Sequence, residues 1–262
     1  MVKEKNLSRA YCPFKTYVNN TNPLLGIWSA LNSPELADII CHIGFDWVLI
    51  DCEHGPNSPE TLMAQLNAYA STSKLTNCIV RISWNDPVQI KKTLDMGIET
   101  IMIPMISSFE EAQSAVAACH FPPRGTRGVA GISRASNYGL NNKYLETAGG
   151  NLCIILQIEN KKGLDDLDRI LTIQEVDGIF IGPSDLAASF GYLGNSHHKN
   201  VKELISGALK KILKSKKFAG TIMLKETDAK YWIKEGFQLM AIAHDSFFIS
   251  SELKQLREKF KS

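Results

Sequence analysis

Short apolar and β-branched runs alternate along this chain with longer segments in which apolar positions recur at helical spacing. That pattern specifies parallel strands joined by helical crossovers. The runs predict strands at Leu24 to Trp28, Trp47 to Asp51, Cys78 to Ile82, Thr100 to Pro104, Leu152 to Ile158, Gly178 to Ile181, Phe218 to Met223 and Leu239 to Ala243. Eight strand and helix units in so even a rhythm favour a closed α/β barrel of the (β/α)8 TIM type over an open doubly wound sheet, which has the same local signature. Residues 1–22 read as a polar lead-in and 23–262 as the barrel domain, with no internal repeat or linker between units.

The helix boundaries are chemically marked. Ser33-Pro34-Glu35 and Ser58-Pro59-Glu60 each offer a capping hydroxyl, a proline at the first helical position and an acid in the first turn. Ser107 with Glu110 predicts a capping box. Gly44, Gly97 and Gly236 follow amphipathic segments where a left-handed cap is needed. The stretch from Phe121 to Leu140, rich in Gly, Pro and Arg, is the one long irregular segment, and loops of that length inside a compact domain are usually functional.

Length and composition narrow this picture without changing it. A chain of 262 residues suits a single large barrel, and 44% hydrophobic with 21% charged residues excludes a disordered or low-complexity protein. A formal charge of +2 lacks the basic field that nucleic acid or an anionic membrane would require, so neither is an expected partner. The six cysteines (Cys12, Cys41, Cys52, Cys78, Cys119, Cys153) include no C-x-x-C pair and point to a reducing compartment. With no apolar signal region at the start and no long uninterrupted apolar run, the expected location is the cytoplasm.

In a parallel barrel the active site lies at the C-terminal ends of the strands, and four of these ends are ionic. The second strand runs into Asp51-Cys52-Glu53-His54, the third carries Arg81, the fifth ends Gln157-Ile158-Glu159 and the sixth ends Pro183-Ser184-Asp185. Glu159 and Asp185, from adjacent strands, are suited to ligate a hard divalent ion such as magnesium or manganese, or else to cap a helix or pair with an arginine. His54 is a candidate general base, with Asp51, Glu53 and the more distant Asp95 as possible orienting partners. Arg81 is placed to clamp a carboxylate or stabilise an enolate oxygen, or to make a structural ion pair. Arg124, Arg127 and Arg134 suit either anchoring of their loop or contact with another subunit. No G-x-G-x-x-G, Walker loop or nucleophile elbow is present, and no isolated lysine lies within a strand, which disfavours Schiff-base chemistry.

Taken together, the stretches GIWSALNSPELADI, GFDWVLIDCEHGP, LDMGIETIMIPMI, FPPRGTRGV, RASNYG, LQIEN and VDGIFIGPSDLAASFGY resemble the metal-dependent pyruvate aldolases of the HpcH/HpaI aldolase/citrate lyase family. The resemblance spans roughly residues 24 to 250. It implies a barrel of the phosphoenolpyruvate/pyruvate-binding type, commonly a homohexamer. The implied reaction is reversible cleavage of a 4-hydroxy-2-oxo acid, of the 2-keto-3-deoxy-sugar-acid or 4-hydroxy-2-oxoheptanedioate type. Pyruvate and an aldehyde result, through a pyruvate enolate on a divalent metal (Mg, Mn or Co). By the same resemblance Glu159 and Asp185 would ligate the metal, while Gln157, Ser184 and Asp185 would meet the substrate. His54 would be the base, Arg81 the stabiliser of the enolate oxygen, and Asp95 the acid that raises the basicity of His54. The chain departs from the family pattern at two strand ends, Leu224-Lys225-Glu226 and His244-Asp245. Two alternatives are an acyl-coenzyme A lyase of the citrate lyase beta type, for which no nucleotide-recognition segment is evident, and a non-catalytic binding barrel. The latter would have no reason to keep Glu159, Asp185, Arg81 and His54 together.

Overall fold

The computed structural model describes residues 14–20, 23–71 and 76–261. Its eight strands are β1 (Leu24–Ser29), β2 (Trp47–Asp51), β3 (Asn77–Arg81), β4 (Thr100–Ile103), β5 (Cys153–Ile158), β6 (Gly178–Ile181), β7 (Phe218–Ile222) and β8 (Leu239–His244). The first six helices are α1 (Phe14–Asn20), α2 (Pro34–Ile43), α3 (Pro59–Ser71), α4 (Pro87–Asp95), α5 (Phe109–Cys119) and α6 (Tyr144–Asn151). They are followed by α7 (Lys161–Asp165), α8 (Leu167–Ile170), α9 (Pro183–Ser189), α10 (Lys199–Lys214), α11 (Glu226–Glu235) and α12 (Asp245–Lys259). The strands close in sequence order into one parallel barrel, β1 pairing with both β2 and β8. Each expected strand is present, with its ends displaced by at most one residue.

Period-2 alternation divides the strand residues between two layers. Leu24, Trp28, Trp47, Leu49, Ile79, Met102, Ile155, Phe180, Phe218 and Leu239 fill the barrel interior, while the other set packs under the helices. An eight-stranded interior is only just wide enough for side chains, so its largest rings need room from neighbours. Glycines supply it. A Cβ on Gly26 would lie 2.1 Å from the Trp47 ring, one on Gly178 2.1 Å from the Phe218 ring and one on Gly220 2.6 Å from Phe180. The end away from the active face is closed by α1, whose Phe14, Tyr17 and Val18, at i, i+3 and i+4, join the interior cluster. The polar lead-in expected over residues 1–22 is thus in part a packed helix, and residues 1–13 lie outside the described residues.

Most caps follow the local chemistry. Ser33 accepts the Leu36 amide at 3.1 Å, and Gly44 and Gly236 take left-handed conformations at φ +86° and +119°. At α5 the N-cap is Ser108 rather than Ser107, so the capping box expected from Ser107 and Glu110 does not form. Ser108 accepts the Glu111 amide at 3.2 Å and the Glu111 carboxylate accepts the Ser107 amide at 2.8 Å. The Ser107 hydroxyl is already committed, donating to the Met105 carbonyl and accepting from Asn160.

The segment from Phe121 to Leu140 is irregular apart from a 3-10 turn at Arg134–Ser136. It leaves the C-terminal end of α5, so it lies at the end of the barrel opposite the strand C-termini. Two of its arginines anchor it. Arg127 is buried, meets Asp95 at 2.6 Å and Tyr144 at 3.0 Å, and stacks on Phe121; Arg134 donates to the Met96 carbonyl at 2.6 Å. Val129, Ile132, Tyr138 and Leu140 on the same segment are exposed. So are Phe247, Phe248, Leu253 and Leu256 of α12, a helix whose only buried residue is Asp245, and Phe260 just beyond it. Among the described residues no helix is long and apolar enough to cross a membrane.

The ring-against-glycine packing has a direct test. Gly26→Ala drives a methyl into Trp47 and is expected to cost about 1–3 kcal/mol in urea unfolding. Gly207→Ala, in α10 with nothing within 4 Å of the added carbon, is expected to gain up to about 1 kcal/mol. Equal midpoints for Gly26→Ala and wild type would contradict the packing.

Candidate active site

The end of β2 turns sharply because the Asp51 carboxylate accepts the backbone amides of Glu53 at 3.0 Å and His54 at 3.3 Å. Gly55 completes the turn where a Cβ would stand 2.3 Å from the Asp51 carbonyl. Strand register then sets Arg81 of β3 beside Asp51. The guanidinium grips that carboxylate with two hydrogen bonds, from Nε at 2.9 Å and Nη2 at 2.7 Å, while Nη1 meets Glu53 at 2.6 Å. Trp28 of β1 completes the group: its indole N–H donates to Asp51 at 3.1 Å and its ring lies 4.7 Å from the guanidinium carbon.

Across the mouth, Glu159 follows β5 and is 1% exposed. It accepts the Met105 amide at 2.9 Å and the Gln157 side-chain amide at 2.5 Å. The first of these bonds holds Met105 at φ +56°, a left-handed conformation costly for a residue other than glycine. Gly182 is required beside it, since a Cβ there would lie 2.4 Å from the Glu159 carboxylate. Ser184 and Asp185 occupy the first turn of α9 and are exposed at the rim, as is His54.

Charge in this mouth is unbalanced. Burial pushes the Asp51 carboxyl up, but Arg81, the Glu53 amide and the Trp28 indole outweigh it and hold Asp51 below its ordinary value. Glu53 is raised by burial, with the charges of Asp51 and Asp185 adding to the effect against Arg81. Glu159 is raised to about 7, chiefly by burial and further by the charges of Glu53 and Asp185. One guanidinium thus faces more carboxylates than it can neutralise.

A hard divalent cation fits that deficit. The donors are oxygens, Glu159 is costly to ionise alone, and the side-chain oxygen (Oε1) of Gln157 is buried without a hydrogen-bond partner among the described residues. Among those residues no group of three or more His, Cys, Asp or Glu is arranged to hold a metal. The fit is therefore to a two-carboxylate site completed by water or substrate oxygens.

Of the residues expected from sequence, His54, Arg81, Gln157, Glu159, Ser184 and Asp185 all stand at the C-terminal ends of the strands or in the turns that follow. Asp95 does not join them. It ends α4, at the opposite end of the barrel, where it pairs with Arg127, so it does not orient His54 within one chain. Trp28 and Met105 are members that sequence reasoning missed. Trp28 carried a usable signal, a large amphipathic side chain at a strand end, whereas nothing local marks the Met105 backbone. Hollows of about 540 Å³ beside α3 and about 610 Å³ between α7 and α10 hold no such cluster, their charged residues being exposed or half-buried.

The HpcH/HpaI aldolase/citrate lyase family matches residues 24–251. The chain is 38% identical over 248 residues to a 4-hydroxy-2-oxo-heptane-1,7-dioate aldolase of Escherichia coli, covering 94% of each protein. Among solved structures, a HpcH/HpaI aldolase/citrate lyase family protein from Burkholderia cenocepacia superposes with a TM-score of 0.92 and 32% identity, over 95% of this chain and 99% of that one. The protein CitE of Mycobacterium tuberculosis, in complex with magnesium and acetoacetate, shares the fold at a TM-score of 0.56 and 16% identity, over 86% of this chain and 85% of that one.

The raised Glu159 carboxyl gives a signed pH dependence. Without metal, the folded protein binds more protons than the unfolded one between the ordinary carboxyl value of 4.5 and about 7, so stability falls as pH rises through that window. Glu159→Gln removes the penalty. In chelator the variant is expected to melt about 5 °C above wild type at pH 8 and to match it near pH 4.5. A variant that melts with wild type at both pH values would refute the raised carboxyl.

Proposed function

The chain belongs to the HpcH/HpaI aldolase/citrate lyase family, and on that footing we propose that it reversibly cleaves a 4-hydroxy-2-oxo acid to pyruvate and an aldehyde. The observation that carries this reading is the buried Glu159 carboxyl, raised to about 7 in an oxygen-lined mouth beside Arg81. Glu159 and Asp185 would hold a divalent ion, with magnesium, manganese and cobalt as the candidates. Bound there, the ion supplies Lewis acidity toward the oxygens of a 2-oxo acid.

The chain's own groups account for the remaining steps. A guanidinium carries five N–H donors; Arg81 gives two to Asp51, and its Nη1 makes a charge contact with Glu53. The remaining donors are available to the substrate oxygen that gains negative charge as the carbon–carbon bond breaks. Asp51, Glu53 and Trp28 keep that fork in place, so little reorganisation accompanies the reaction. Gln157 and Ser184, with Asp185, add polar contacts for the 2-oxo acid. His54 at the rim takes the proton of the 4-hydroxyl, directly or through water, and returns it in the reverse direction. The 38% identity to a named aldolase over nearly the whole chain favours this reading over a coenzyme A lyase.

The same reading makes the protein a homo-oligomer, a hexamer by resemblance. The apolar residues exposed on α12 and on the segment from Phe121 to Leu140 support association. Asp95, remote from His54 in its own chain, would act on a His54 only across such an interface. Among the described residues Cys52, Cys78, Cys119 and Cys153 are free thiols, which supports a cytoplasmic location.

Pyruvate release from a panel of 4-hydroxy-2-oxo acids, with and without chelator, tests the reaction. Chelator is expected to abolish release and magnesium, manganese or cobalt to restore it; full turnover in chelator with borohydride trapping of a lysine adduct would overturn the reading. His54→Ala is expected to lower cleavage by about 10²- to 10⁴-fold with metal affinity little changed. Glu159→Ala is expected to lose metal binding and activity together. Light scattering should give a mass several times that of one chain, and a strict monomer at micromolar concentration would remove the oligomer.

A further inference from the structure

Along β1 the side chains alternate without interruption: Leu24, Gly26 and Trp28 face the interior, Leu25 and Ile27 the helices. Strand β8 starts in the same phase, with Leu239 and Ala241 inside. The pairing of Gly26 with Ala241 is then followed by that of Ile27 with Ala243, so Ile242 is skipped. Ile242 and Ala243 both pack on the helix side. A one-residue irregularity of this kind reverses the phase of everything after it. Unbroken alternation would turn His244 toward the helices. The bulge instead sets it in register with Trp28, facing the mouth.

The ring is held there by one edge. Nδ1 lies 3.1 Å from the Ser246 hydroxyl and 3.4 Å from the Asp245 carboxylate. Asp245 is itself 2% exposed and fixed by the Leu31 amide at 2.8 Å, the Ser29 hydroxyl at 3.2 Å and the Ser246 amide at 2.6 Å. With Nδ1 so occupied, Nε2 is the polar edge with no contact among the described residues, on a side chain that is 28% exposed. Trp28 separates it from Arg81. His244 therefore stands one side chain beyond the reacting centre, where the part of the substrate that leaves as aldehyde would extend.

We propose that His244 is a specificity-determining residue, whose Nε2 meets a hydroxyl or carboxylate oxygen on the aldehyde-derived half of the substrate. This rests on the aldolase reading above. An alkyl chain in the same place would strip water from Nε2 and leave it without a partner, so oxygen-bearing aldehydes are selected over alkyl ones.

Aldol addition of pyruvate to matched aldehydes tests this: glycolaldehyde against propanal, and 4-oxobutanoate against 4-methylpentanal. Wild type is expected to favour the oxygen-bearing member of at least one pair. His244→Ala should lower kcat/KM for that member by about 10- to 100-fold, mainly through KM, and for its alkyl partner by less than about threefold. His244→Gln, which sets an amide near the position of Nε2, should recover part of the preference. A loss confined to the first pair identifies a hydroxyl, and one confined to the second a carboxylate. Equal losses within both pairs, or an unchanged preference, would overturn the role of His244 while leaving the aldolase reading intact. Failure of wild type to add pyruvate to any of the four would bring down that reading and this proposal with it.

Discussion

One guanidinium sets the state of the barrel mouth. Arg81 is buried, and its fork is matched to Asp51 with a further contact to Glu53. A buried charge pair of this kind repays its desolvation only when nearly every donor and acceptor is used, and here the indole of Trp28 and two backbone amides complete the set around Asp51. The pairing leaves Arg81 little capacity to offset Glu159 and Asp185 as well. Burial first, and then the charges of Glu53 and Asp185, raise Glu159 to about 7 against Arg81, and the site is electrostatically ready for a cation.

The scaffold is arranged to hold that imbalance in place. The carboxylates and the arginine stand on or beside strand ends whose positions follow from the packed interior below them, and small residues stand wherever the chemistry crowds the backbone. Gly55 and Gly182 are needed because Asp51 and Glu159 approach too closely for any side chain. Met105 accepts a left-handed backbone so that its amide can reach Glu159. Such local costs persist only where surrounding structure enforces them, and the closed ring of hydrogen-bonded strands does so.

The two ends of the barrel are unlike. The strand C-termini gather charge, whereas the opposite end is sealed by α1 and bordered by a segment that buries Arg127 against Asp95 and exposes four large apolar residues. Together with the bare face of α12, these residues leave more apolar surface in water than one chain requires. Association between copies would cover it.

Much of this was legible in the sequence. The eight strands, most helix caps and the acidic and basic strand ends rest on periods of 2 and 3.6 and on spacing within a few residues, which local chemistry determines. His54, Arg81, Glu159 and Asp185 were visible because each lies at or just after the end of a strand that could be recognised alone. What only the tertiary structure decided is which residue lies beside which. The pairing of Arg81 with Asp51, the place of Trp28 above it, the separation of Asp95 from His54 and the inward turn of His244 all depend on register between strands distant in sequence. Register is settled when eight strands close on one another, and no local window of sequence contains that condition.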